Sequence, residues 1–139
     1  MSEENVEIAR RWVGAYNRRD LDGLIGLTDP AVVLDNSNAA FDGAVYRGHD
    51  GVREWLSWVR GMWKCQQFKP QEFIPVGENQ VIVAVLLVSV GRDDVETVAH
   101  GAAVTTVREE KVTQLKTFQS RADALEAVGL SEQDAHAEP

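Results

Sequence analysis

The chain of 139 residues has little cysteine, little positive charge and no long apolar run. Its one cysteine, Cys65, excludes an internal disulfide, and no Cys/His spacing resembles a zinc site. The longest apolar stretch, Val81 to Val88, is far short of the roughly 20 residues that a membrane-spanning helix needs. The opening "MSEENVEIARRW" is acidic and amphipathic, unlike the basic and then apolar start of a signal peptide. A reducing, cytoplasmic setting without a membrane partner is therefore expected. Fourteen Lys and Arg stand against 22 Asp and Glu, a formal net charge of −8. Nucleic-acid binding relies on clustered cations to displace phosphate counterions, and pairs such as Arg10/Arg11 and Arg18/Arg19 are scattered, so no nucleic-acid partner is expected.

The length fits one domain, placed at residues 1–130, with the polar, acidic stretch 131–139 read as a disordered tail. In "SEENVEIARRWVGAYN" Val6, Ala9, Trp12, Val13 and Tyr16 recur at spacings of three and four, one face of a helix with Ser2 as N-cap. "DLDGLIGL" reads as a short second helix capped by Asp20, and a strand follows from Ala31 to about Asn36. Residues 37–48 carry Gly and Asn breakers and read as a loop, of a length that often serves as a lid. "DGVREWLSWVRGMWK" returns to helical period and holds three of the four tryptophans. Four β-rich runs then follow, separated by "GEN", "GRDD" and "REE", which predicts antiparallel hairpins. Ser120 and Gly129 bracket a last short helix. Helices first and strands after point to an α+β fold.

The strand Val81–Val90 is apolar on both faces, so it needs two covers. The helices supply one. The second is a copy of the same chain, giving a homodimer through the outer sheet face, or the chain's own tail and loops.

"YNRRDLDGLIGL", "TDPAVVLDNS", "YRGHDGVREW", four long strands and the closing "FQSRADALEAVGL" come in an order that resembles the SnoaL-like group of the nuclear-transport-factor-two-like superfamily. The resemblance covers nearly the whole chain. It implies a cone-shaped half-barrel, a curved, mostly antiparallel sheet wrapped round an N-terminal helix hairpin and a third helix. It further implies an apolar pocket at the wide end and a dimer. The superfamily includes ketosteroid isomerases, polyketide cyclases and limonene-epoxide hydrolases, so fold alone does not select an activity.

Matching "TDPAVVLDN" to the ketosteroid isomerases without gaps carries their general base onto Asp35. A carboxylate there removes a proton next to a carbonyl, or else it simply ends the strand by bonding its own backbone. The isomerases' oxyanion tyrosine falls near Trp12, and their neutral acid falls near Ala103, which cannot replace it. Thr117 falls near one carboxylate of the epoxide hydrolases. His100 is the nearest titratable residue to Ala103 and would complete an acid/base couple with Asp35. It faces the pocket only if Gly101 hosts a bulge, and the outer face otherwise. His49 and Asp50 look like a functional pair, although Asp50 directly precedes the helical period and reads as its N-cap, with His49 just outside the helix and placed to line the pocket mouth. Trp12, Tyr16, Trp55, Trp58, Met62 and Trp63 sit at helical spacing and form core, pocket wall or both. Two readings stay open. One is an isomerase or cyclase acting by proton transfer on an apolar carbonyl compound such as a polyketide or steroid; the other is a non-catalytic dimer holding a small apolar molecule. No cofactor or metal is implied by either.

Overall fold

The structure is a computed structural model and describes residues 2–38 and 43–131. The side chain of Ser2, the residues 39–42 within the expected loop, and the expected tail from 132 onwards lie outside the described residues. Four helices and six strands run in the order α1 (Ser2–Asn17), α2 (Leu21–Gly26), β1 (Thr28–Asp35), β2 (Val45–Arg47), α3 (Gly48–Met62), β3 (Cys65–Val76), β4 (Gln80–Val90), β5 (Glu96–Arg108), β6 (Lys111–Phe118) and α4 (Arg121–Ala127). The strands form one curved, unclosed sheet in the order β2-β1-β6-β5-β4-β3. Only β1 and β6 run parallel; every other neighbouring pair is antiparallel. The α+β half-barrel expected from the sequence is the fold observed.

Local chemistry explains where the elements stop. The Asp20 carboxylate accepts the Gly23 N–H at 2.9 Å and the Ser120 hydroxyl accepts the Asp123 N–H at 3.1 Å, each satisfying one of the orphan donors at a helix start. Gly129 follows α4 with φ of +79°, where a residue without Cβ meets no steric penalty. α3 differs from expectation at its start. It begins at Gly48 with Arg47 at the cap position, so Asp50 lies within the first turn, paired with Arg53 at 3.2 Å, and His49 is inside the helix. A carboxylate in the first turn still favours the helix through its dipole. At the other end, Arg92 donates to the carbonyls of Arg60 and Gly61, which α3 itself leaves unpaired. The hairpin between β5 and β6 turns on Glu109 and Glu110, both at positive φ, where Asn-Gly is the usual solution.

α1 and α3 lie in the concave side of the sheet. Trp12, Tyr16, Val52, Trp55 and Val59 pack there with Val32, Leu34, Val107, Val112 and Leu115, while Ala9 and Val13 meet Val81 and Val83. The convex side is partly covered by the chain itself. Ala124 and Leu125 of α4 bury Ile74, Ile82, Ala102 and Val104. Farther along the same face Leu86 is half-buried and Val98 remains 55% exposed.

Candidate functional site

The site grows from strand alternation. β4 and β5 pair without a break from Gln80↔Thr106 to Val90↔Glu96, so residues two apart along each strand share a face throughout. On the concave face this brings Val83, Val85 and Leu87 of β4 beside Ala103, Gly101 and Ala99 of β5; Thr105 and, across from Ala103, Thr117 of β6 join them. Trp12 of α1 and Trp55 and Trp58 of α3 close over this floor. They leave a cavity of about 110 Å³. Exposed His100 and Gln119 mark its open end. Among the described residues that line it there is no Asp, Glu, Lys, Arg, Cys or Tyr.

Tyr16, expected in the pocket wall, lies behind it. Its ring stacks on Phe68 at 4.3 Å and on Trp55 at 5.1 Å between centroids. Its hydroxyl donates to Gln66 Oε1 at 2.7 Å, and the Gln66 amide passes the chain on to Ser89 at 3.1 Å. Burial pushes the Tyr16 phenol well above its usual range, so it is a neutral donor already in use. Trp12 lines the cavity, but its indole N–H donates to the Thr28 hydroxyl at 3.1 Å, and that hydroxyl donates to the Leu24 carbonyl at 2.6 Å. It is therefore not a donor for a bound oxyanion. Trp63 lines a second, smaller cavity of about 30 Å³ with Tyr16 and Arg19. Met62 stands 48% exposed at the end of α3, so it is neither core nor pocket wall. His49 hydrogen-bonds the Thr28 carbonyl through Nε2 at 2.7 Å and serves the packing of α3 on β1.

Asp35 is the main correction. Val32, Leu34 and Asn36 are buried at 0%, 1% and 4% exposure, whereas Asp35 alternates with them, does not line the cavity and points away from it. Hydrogen bonds from the Ser37 hydroxyl and from its N–H, at 2.9 Å, hold the Asp35 carboxyl below the usual carboxylate range. A depressed, outward carboxylate is a weak base in the wrong place. The run Ala31–Leu34 is apolar at every position, so alternation gave no phase; an irregular register with β6 between Thr28 and Val33 sets it. Asn36 takes the cavity position, its Oδ1 accepting from the Thr117 hydroxyl at 2.9 Å.

His100 likewise departs from the couple expected of it. Gly101 hosts no bulge, since β4 and β5 stay in register through it, and His100 shares the convex face of Ala102 and Val104. It touches the cavity only as a border. Asp35 and His100 thus do not meet over a common ligand. Asn36, Phe68 and Thr105 are cavity residues that sequence reasoning passed over. Thr105 was within reach of it, two places along β5 from Ala103 and therefore on the same face.

Among the described residues no group of three His, Cys, Asp or Glu could hold a metal ion, and no helix is long and apolar enough to cross a membrane. Residues 9–115 match the family model described as the SnoaL-like domain. No curated protein sequence matches the chain. Several solved structures share its fold. TerC, co-crystallized with polyporic acid, is 20% identical, with a TM-score of 0.74 over 90% of this chain and 98% of its own. A Mycobacterium tuberculosis protein in complex with estradiol-17β-hemisuccinate is 13% identical, with a TM-score of 0.73 over 85% and 95%. A Catenulispora acidiphila protein with a ketosteroid isomerase-like fold, in complex with trimethylamine, is 18% identical, with a TM-score of 0.72 over 96% and 98%.

Proposed function

Since the chain belongs to the SnoaL-like domain family, we propose that it binds a small, apolar, ring-containing molecule between the tryptophans and the sheet, and that it does so without Asp35 acting as a base. The observation that carries this reading is the cavity lining: aromatic and aliphatic walls with a few buried polar atoms, the composition of a small-molecule site. Two structural neighbours hold ring compounds on the same fold. An isomerase or cyclase role needs a base within hydrogen-bond reach of its substrate. Asp35 is turned away and His100 only borders the opening, so binding is favoured over proton transfer.

The test is ligand-observed NMR with toluene and cyclohexanone, together with emission from the cavity tryptophans. Both probes are expected to bind, and Asp35→Asn is expected to leave their affinities within about twofold of the parent, because the carboxylate is outside the site. Failure of every ring probe to bind would sink the reading, and a large loss in Asp35→Asn would restore Asp35 to the site.

The homodimer through the outer sheet face belongs to the same proposal. α4 covers one end of that face, which leaves Leu86 and Val98 as the apolar surface for a second copy. Sedimentation equilibrium is expected to give a dimer that Leu86→Lys with Val98→Lys converts to monomer. A monomeric parent protein contradicts it.

A further inference from the structure

Thr105 is 3% exposed and lines the cavity; none of the side-chain hydrogen bonds among the described residues engages its hydroxyl, and that oxygen is not one of the wholly enclosed polar atoms, so it opens into the cavity. Its cross-strand neighbours, Val81 and Leu115, are aliphatic, and Ala103 precedes it on the same face. A hydroxyl that opens into a largely apolar cavity is met by whatever fills the space, water or a ligand oxygen. The other cavity threonine differs. Thr117 has committed its proton to Asn36, so its oxygen is left as an acceptor. Thr105 keeps a rotatable hydroxyl able to donate or accept.

Size and charge narrow the occupant. An apolar cavity of about 150 Å³ is known to hold benzene, so about 110 Å³ open at one end suits a single ring, with larger scaffolds extending out past His100. With no Lys or Arg among the described lining residues, a carboxylate held beside Thr105 would lose its hydration without a fixed counter-charge.

Resting on the binding role above, we infer that the site selects neutral, single-ring molecules bearing a hydroxyl or carbonyl oxygen, and that the Thr105 hydroxyl reads that oxygen. This goes beyond a general affinity for apolar compounds, because it makes one side chain responsible for preferring an oxygenated ring over its hydrocarbon analogue.

Affinities of phenol, toluene and benzoate, measured on the parent protein, Thr105→Val and Thr105→Ser, test it. Phenol is expected to bind about tenfold better than toluene, a preference of the size that one buried hydrogen bond supports, and benzoate is expected not to bind. Thr105→Val is isosteric and suits a strand. It should bring the phenol-to-toluene affinity ratio down to about one, and Thr105→Ser should keep the preference of the parent protein. If phenol and toluene bind alike, or if the preference survives in Thr105→Val, the role of Thr105 is overturned while the binding site stands. If benzoate binds as well as phenol, the selection for neutral ligands is overturned. If neither phenol nor toluene binds the parent protein, the binding reading fails and the selectivity fails with it. A Thr105→Val protein that does not fold leaves Thr105→Ala, judged by the same phenol-to-toluene ratio, to decide.

Discussion

Replacing Ala103 with phenylalanine is expected to weaken the binding of ring probes at least about tenfold while leaving the protein folded. Ala103 lies on the cavity floor between Val83 and Thr117. A ring added there fills the space that a ligand ring would occupy. Burying such a ring is worth about 1.5–3 kcal/mol, so losing that burial weakens affinity by roughly ten- to a hundredfold or more. Phenylalanine is a good strand residue, and the cavity absorbs volume that would otherwise cost about 1–3 kcal/mol as overpacking. Titration with toluene, followed by urea unfolding of the same variant, separates the two effects. Undiminished toluene affinity in Ala103→Phe would mean that the ligand sits elsewhere.

Trp12→Ala is expected to remove a large share of the stability of the domain. Trp12 is 2% exposed, stacks against Trp55 at 6.0 Å between centroids and anchors the Thr28 hydroxyl. Truncating a buried aromatic of this kind costs about 3–5 kcal/mol, against a total stability of about 5–15 kcal/mol for a typical domain. Trp12→Phe keeps a ring but loses the N–H, and a smaller cost of about 1–2 kcal/mol is expected for the hydrogen bond and the lost volume. The urea midpoint and its slope measure both variants. A loss below about 1 kcal/mol in Trp12→Ala would show that the α1–α3 aromatic stack does not carry the core, against the usual cost of a buried aromatic truncation.

Some of this was readable without the fold. The spacing of Ala9, Trp12, Val13 and Tyr16 gave α1 and its buried face, Asp20, Ser120 and Gly129 gave the ends of α2 and α4, and the β-rich runs gave the hairpins. These signals are local, carried by a few residues whose backbone groups must be satisfied wherever the element packs. The three-residue β2 was hidden within a loop, because its partner β1 is what makes it a strand. Asp50 reads as a cap by sequence because the apolar period starts at Val52, yet α3 extends back to Gly48, where Tyr46 packs closely on Gly51.

The sequence by itself determined the fold class, the composition of the core and the absence of a disulfide, since each follows from residue types and their period. Only the tertiary structure decided the site. In β1 four consecutive apolar residues leave either face free to point inwards, and a shift of one place exchanges every side chain between cavity and exterior. The register with β6 made that choice, turning Asn36 in and Asp35 out. In β5 the choice depended on whether Gly101 was bulged; it is regular, so Thr105 faces the cavity and His100 the convex side.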